Sequence, residues 1–132
     1  MPGEAEESGR RILIVDDEEE SVYAIKKTLK QYGYEIDYFS DPKKALSNFK
    51  TNAYSLLILD IRMPGISGFQ FLRNIRQIDK EVKVLFLTTF EIQEKEWQMV
   101  LPNIQVQGFI KKPVNLQEIV EAVCNESCQK TC

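Results

Sequence analysis

The chain has 132 residues, enough for one hydrophobic core and the usual size of a single domain. Its 17 basic and 20 acidic residues leave a formal charge of −3, which argues against the basic face of a duplex-binding domain, and no apolar run approaches the roughly 20 residues that cross a bilayer. Histidine is absent, so Ser-His-Asp and Cys-His catalysis are excluded, and nucleophilic or acid–base work falls to other side chains.

Residues 1–9 (MPGEAEESG) are polar, contain Gly and Pro, show no periodicity and read as a disordered leader. They lack the apolar core of a signal peptide, so the expected location is cytoplasmic. Apolar runs follow at Ile12–Val15, Ile36–Phe39, Leu56–Leu59, Val82–Leu87 and Val106–Ile110. The first, third and fourth are continuous and rich in branched residues, as strands buried on both faces are. The second is more polar and suits an edge.

Helical patterns alternate with them. Val22, Ile25, Leu29 and Tyr32 form a stripe closed by Gly33 at a C-cap position. Asp41–Pro42 offers an N-cap and a first-turn proline ahead of Ala45, Leu46 and Phe49. Phe69, Leu72 and Ile75 form a third stripe, and Ile92, Trp97, Val100 and Leu101 a weaker fourth. Asn115 with Glu118 starts a last helix whose buried face is Leu116, Ile119, Val120, Val123 and Cys124. Cys124, Cys128 and Cys132 do not read as a disulfide framework; Cys124 is expected in the core. Strand–helix alternation of this kind predicts a three-layer α/β sandwich: a parallel sheet covered by helices on both faces.

In such sheets ligands bind beyond the carboxyl ends of the strands. There the chain places Asp16, Asp17 and Glu18 after the first strand, Asp60 at the third, Thr88 and Thr89 at the fourth, and Lys111, Lys112 and Pro113 at the fifth. Clustered carboxylates must take up protons or bind a cation. A hard ion such as Mg²⁺ suits oxygen ligands and phosphate. The set assigns roles: Asp60 as a carboxylate nucleophile able to form an acyl phosphate, Asp16 and Asp17 as metal ligands, Lys112 as the counter-charge of a phosphoryl group and Thr88 as its hydroxyl donor.

ILIVDDE (Ile12–Glu18), LLILDIRMPGISG (Leu56–Gly68), LFLTT (Leu85–Thr89) and FIKKP (Phe109–Pro113) resemble the signature blocks of response-regulator receiver domains, from about Arg11 to Cys124. The resemblance implies a flavodoxin-like (βα)5 fold with strand order 2-1-3-4-5. It implies a receiver domain over 10–126, followed by a helix end or frayed tail over 127–132. It also implies a phosphorylation-activated switch that takes its phosphoryl group onto Asp60 from a histidine kinase or histidine phosphotransfer protein. Mg²⁺ (or Mn²⁺) would be held by Asp16, Asp17, Asp60 and the Arg62 backbone carbonyl. Thr88, Lys112 and Phe109 carry the switch, and Thr89, bulkier than the small residue usual there, modulates access to the phosphoryl group. A domain of this kind catalyses its own phosphorylation and slow dephosphorylation without being a conventional enzyme. The expected partners exclude nucleic acid and membrane and include a phosphorylation-dependent homodimer.

Other readings fit less well. A haloacid-dehalogenase-type phosphatase needs a second acid two residues after the nucleophile, where this chain has Arg62. A flavodoxin needs a phosphate-binding loop after the first strand, where Asp16, Asp17 and Glu18 repel phosphate. The alternative that keeps the fold is a non-phosphorylated pseudo-receiver acting as an interaction module. The segment 90–107, with Pro102, departs from the family pattern.

Overall fold

The computed structural model describes residues 11–63, 65–89 and 106–127, with side chains as far as Cys124. The strands are β1 (Arg11–Val15), β2 (Glu35–Phe39), β3 (Leu56–Asp60), β4 (Lys83–Thr88) and β5 (Gly108–Lys111). The helices are α1 (Glu19–Gln31), α2 (Pro42–Asn48), α3 (Gly68–Ile78) and α4 (Leu116–Ser127). All strand pairs are parallel, in the order β2-β1-β3-β4-β5 expected for the flavodoxin-like fold. The helix expected around Ile92–Leu101, the leader and residues 128–132 lie outside the described residues.

Alternation along the strands divides the core into two. Ile12, Ile14, Leu56, Ile58, Leu85, Leu87 and Ile110 pack under α1 and α4, against Val22, Ile25, Leu29, Ile119 and Val123. Leu13, Val15, Leu57, Leu59, Val84 and Phe86 face the other way, against Ala45 of α2 and Phe71, Leu72 and Ile75 of α3. The central strands therefore need apolar residues at every position, whereas β2 is an edge with only Ile36 fully buried.

The helix ends follow from local chemistry. Gly33 (φ 91°) closes α1: its N–H reaches the Lys30 carbonyl at 3.0 Å and the Tyr34 N–H reaches Leu29 at 3.3 Å, a Schellman pair needing a left-handed residue. Asp41 caps α2 through the Lys43 N–H (2.9 Å), and Asn115 Oδ1 accepts the Glu118 N–H at 3.2 Å.

Two strands begin later than expected. β4 begins at Lys83 rather than Val82, because Asp79 Oδ1 captures the Val82 N–H at 3.1 Å. β5 covers Gly108–Lys111 rather than Val106–Ile110. Gln107 Oε1 accepts the Val84 N–H at 2.6 Å and so substitutes a side chain for the ladder there. Cys124 is buried in the core as expected; against expectation it is disulfide-bonded.

Candidate functional site

Three strand ends converge on one ammonium group. Asp16 lies one residue beyond the Val15–Leu59 pair and Asp60 ends β3, so the two carboxylates stand on neighbouring central strands. Both continue the register whose side chains face α1 and α4. Lys112 follows β5, its N–H bonded to the Thr88 carbonyl at 2.6 Å. Its Nζ is 2.6 Å from Glu18 Oε1, 2.9 Å from Asp16 Oδ2 and 3.4 Å from Asp60 Oδ2. The Lys112–Pro113 bond is cis.

The carboxylates are held from behind. Asp16 Oδ1 accepts the Glu18 N–H at 2.9 Å, folding the acidic turn over the end of β1, and the Asp16 carbonyl accepts the Tyr38 hydroxyl at 2.8 Å. Asp60 Oδ1 accepts the Arg62 N–H at 3.3 Å. Asp16 is fully buried and Asp60 is 5% exposed, while Asp17 faces solvent.

The charges do not balance. Three carboxylates, on Asp16, Glu18 and Asp60, surround the ammonium of Lys112, and that of Asp17 lies beside Asp16 and Asp60. Burial pushes the Asp60 carboxyl up to about 6; the Asp16 charge adds to this, and Lys112 and the Arg62 N–H oppose it. Burial also disfavours the Lys112 ammonium, but hydrogen bonds to Glu18 and Asp16 and the charges of Asp16 and Asp60 hold its pKa above the ordinary lysine value. The cation is over-supplied with partners and the carboxylates are under-supplied.

A divalent cation would correct this imbalance. One oxygen each of Asp16, Asp17 and Asp60 lie within 4.8 Å of one another, an all-oxygen set suited to a hard ion. Asp16 Oδ2 is buried and accepts no hydrogen bond; the 2.9 Å approach of Nζ is an ion pair without hydrogen-bond geometry. An unsatisfied buried carboxylate oxygen fits a metal ligand.

The other residues singled out in the sequence sit around this cluster. Thr88 ends β4 and is buried, Thr89 is exposed, and the Arg62 side chain points outward. Phe109 is half-buried and belongs to the opposite core, stacked on Phe86 with ring centroids 5.5 Å apart; Phe86 in turn meets Phe69 edge-on at 5.1 Å. Two contributors carry no role in the sequence reading. Glu18 is the tightest partner of Lys112. Gly68 opens α3 against the Asp60 backbone, with its N–H on the Ile61 carbonyl at 2.8 Å.

The sequence profile of the response regulator receiver domain matches residues 12–124. The chain belongs to the response regulator receiver domain family. It is 29% identical over 113 residues to the uncharacterized transcriptional regulatory protein YkoG of Bacillus subtilis, a match that covers 85% of this chain and 48% of YkoG. The receiver thus spans about half the length of that curated relative. Among solved structures it resembles the non-phosphorylated HemR receiver domain of Leptospira biflexa, with a TM-score of 0.78, 29% identity, and 89% and 94% of the two chains covered. It also resembles the response regulator TrrA of Thermotoga maritima in complex with Mg²⁺ and beryllofluoride, with a TM-score of 0.71, 33% identity, and 88% and 97% covered. No helix among the described residues of this receiver is long and apolar enough to cross a membrane.

Proposed function

We propose that the receiver domain, over residues 10–126, accepts a phosphoryl group on Asp60 and relays it as a conformational switch. The observation that carries this reading is the buried Asp60 carboxylate, crowded by Asp16 and only partly neutralised by Lys112 at 3.4 Å. The donor is a histidine kinase or histidine phosphotransfer protein.

An oxygen of ionised Asp60 attacks phosphorus. The phosphorus–nitrogen bond of the donor phosphohistidine breaks, and the departing imidazole keeps the electron pair and takes a proton. Asp16, Asp17, Asp60 and the Arg62 carbonyl would hold Mg²⁺ or Mn²⁺, and TrrA, with its Mg²⁺–beryllofluoride complex, supports that assignment by analogy. When bound, the ion neutralises charge on the phosphoryl oxygens. Lys112 supplies a second positive charge from the β5 side, and Thr88 donates its hydroxyl to the new oxygens. Thr89, exposed at the rim, limits access. Movement of Thr88 opens space into which Phe109 rotates, reshaping the surface offered to a downstream partner or a second copy. The same site hydrolyses its phosphoryl group slowly, in the cytoplasm.

The test is incubation with Mg²⁺ and a small acyl phosphate, followed by intact mass. The expected result is a Mg²⁺-dependent single phosphoryl adduct that Asp60→Asn abolishes and Asp17→Ala weakens. An adduct that survives Asp60→Asn, or none in the wild-type chain, overturns the reading.

A further inference from the structure

Glu18 makes the shortest contact to Lys112, 2.6 Å, while Asp60 stands at 3.4 Å. Glu18 is also the N-cap residue of α1, in extended backbone, yet its side chain makes no cap hydrogen bond. N-caps are usually short side chains that fold back on the helix. This longer one reaches out to a partner 94 residues further along the chain. Its backbone N–H, tied to Asp16 Oδ1 at 2.9 Å, fixes the turn from which it reaches.

We propose that Glu18 is a positioning residue that draws Lys112 toward the acidic turn in the unphosphorylated receiver and must release it when Asp60 is phosphorylated. The inference rests on the reading of Asp60 as phosphoryl acceptor. An ammonium has three donors. Here Nζ spends them on Asp16, Glu18 and Asp60. A phosphoryl group on Asp60 brings three strong acceptors and about two negative charges. The donor now on Asp60 passes to the phosphoryl group, and any second bond from Nζ to its oxygens comes at the expense of Asp16 or Glu18. Asp16 is buried and fixed, whereas the Glu18 side chain is 56% exposed and can turn to water. Glu18 therefore yields, and its pull on Lys112 is subtracted from the affinity of the site for the phosphoryl group.

Two measurements on Glu18→Gln and Glu18→Asp test this. In the free chain, labelling of Lys112 by an amine-acylating reagent, read by peptide mass spectrometry against Lys111, is expected to rise severalfold in both variants; the shorter Asp cannot span the gap. With Mg²⁺ saturating, so that any change in metal affinity drops out, beryllofluoride binding followed by fluorine NMR is expected to tighten by about two- to five-fold, the scale of a half-exposed ion pair. A purely structural cap would move thermal stability and neither of these readouts. Unchanged labelling, or beryllofluoride affinity that is unchanged or weaker, overturns the proposal. A wild-type chain that takes up no beryllofluoride overturns the reading of Asp60 and the competition with it, whatever the labelling shows.

Discussion

Gly68 and Asp60 meet through their backbones: a methyl group on the Gly68 Cα would overlap the Asp60 carbonyl oxygen and stand 3.0 Å from the Ile61 Cα. The obstacle is main chain, so no side-chain rotation relieves it. Gly68→Ala is expected to cost about 1–3 kcal/mol, the usual penalty of overpacking, in urea denaturation. The displaced backbone carries the Asp60 carboxylate, so Mg²⁺-dependent adduct formation should slow as well. Asn74→Ala on the exposed face of α3 serves as control, with an effect within about 0.5 kcal/mol. Equal urea midpoints for the Gly68 variant and wild type would contradict the contact.

Asp60 lowers the stability of its own fold at neutral pH. Its folded pKa, about 6, exceeds the ordinary carboxyl value of 3.8. Below the ordinary value both states hold the proton; between the two values the folded chain keeps a proton that the unfolded chain has released. Stability from this group therefore falls as pH rises through that window and stays lost above it. Asp60→Asn is expected to stabilise the metal-free receiver on the order of 2 kcal/mol at pH 8, the gain vanishing near pH 4. Chemical denaturation in a chelator at the two pH values measures it; destabilisation at pH 8 would refute it.

Asp79 carries the opposite sign. It is buried before β4 and accepts backbone N–H groups from Asn52 (3.1 Å), Glu81 (3.0 Å) and Val82 (3.1 Å). Burial alone would raise its pKa, but these donors and Arg76 outweigh it and hold the carboxyl below its usual range. Its stabilisation is present above the unfolded value and is lost as pH falls through the folded one. Asp79→Asn should cost about 1–3 kcal/mol at pH 7 and progressively less below about pH 4. A cost independent of pH would point to lost geometry rather than lost charge.

Lys112→Ala removes the cation from among Asp16, Glu18 and Asp60. Leaving buried carboxylates unpaired is expected to cost about 3–5 kcal/mol in metal-free buffer. Mg²⁺ should then restore part of the loss, so the rise in Tm on adding Mg²⁺ is larger in the variant than in wild type. Scanning calorimetry with and without the ion decides this; an equal or smaller rise contradicts the charge imbalance described for the site.

The sheet and the site were legible in the sequence to different depths. Continuous apolar runs announced β1, β3 and β4, and the polar Glu35–Phe39 announced an edge, because burial on both faces leaves no alternation to read. Gly33, Asp41 and Asn115 marked helix ends through short-range bonds that depend only on neighbouring residues. β4 and β5 start one and two residues later than their apolar runs, because Asp79 and Gln107 intercept ladder N–H groups with side chains, and apolar patterning does not register that. At the site, Asp16, Asp60 and Lys112 could be grouped because each follows or ends a strand. The pairing of Glu18 with Lys112 spans 94 residues and depends on side-chain reach rather than on strand register. The Gly68 contact likewise leaves no periodic trace; the glycine inside MPGISG was its signal.

The position of Lys112 also bears on how the chain folds. The lysine meets carboxylates 52, 94 and 96 residues before it, so the acidic rim of β1 and β3 can assemble well before its counter-charge is delivered by β5. Until then Asp16, Asp17 and Asp60 repel one another, and pairing of the two central strands works against that repulsion. Refolding should accordingly quicken with ionic strength, as added salt screens the rim, and more steeply with Mg²⁺ than with an equal ionic strength of NaCl. In Asp60→Asn the same acceleration should be smaller, since one of the repelling charges is gone.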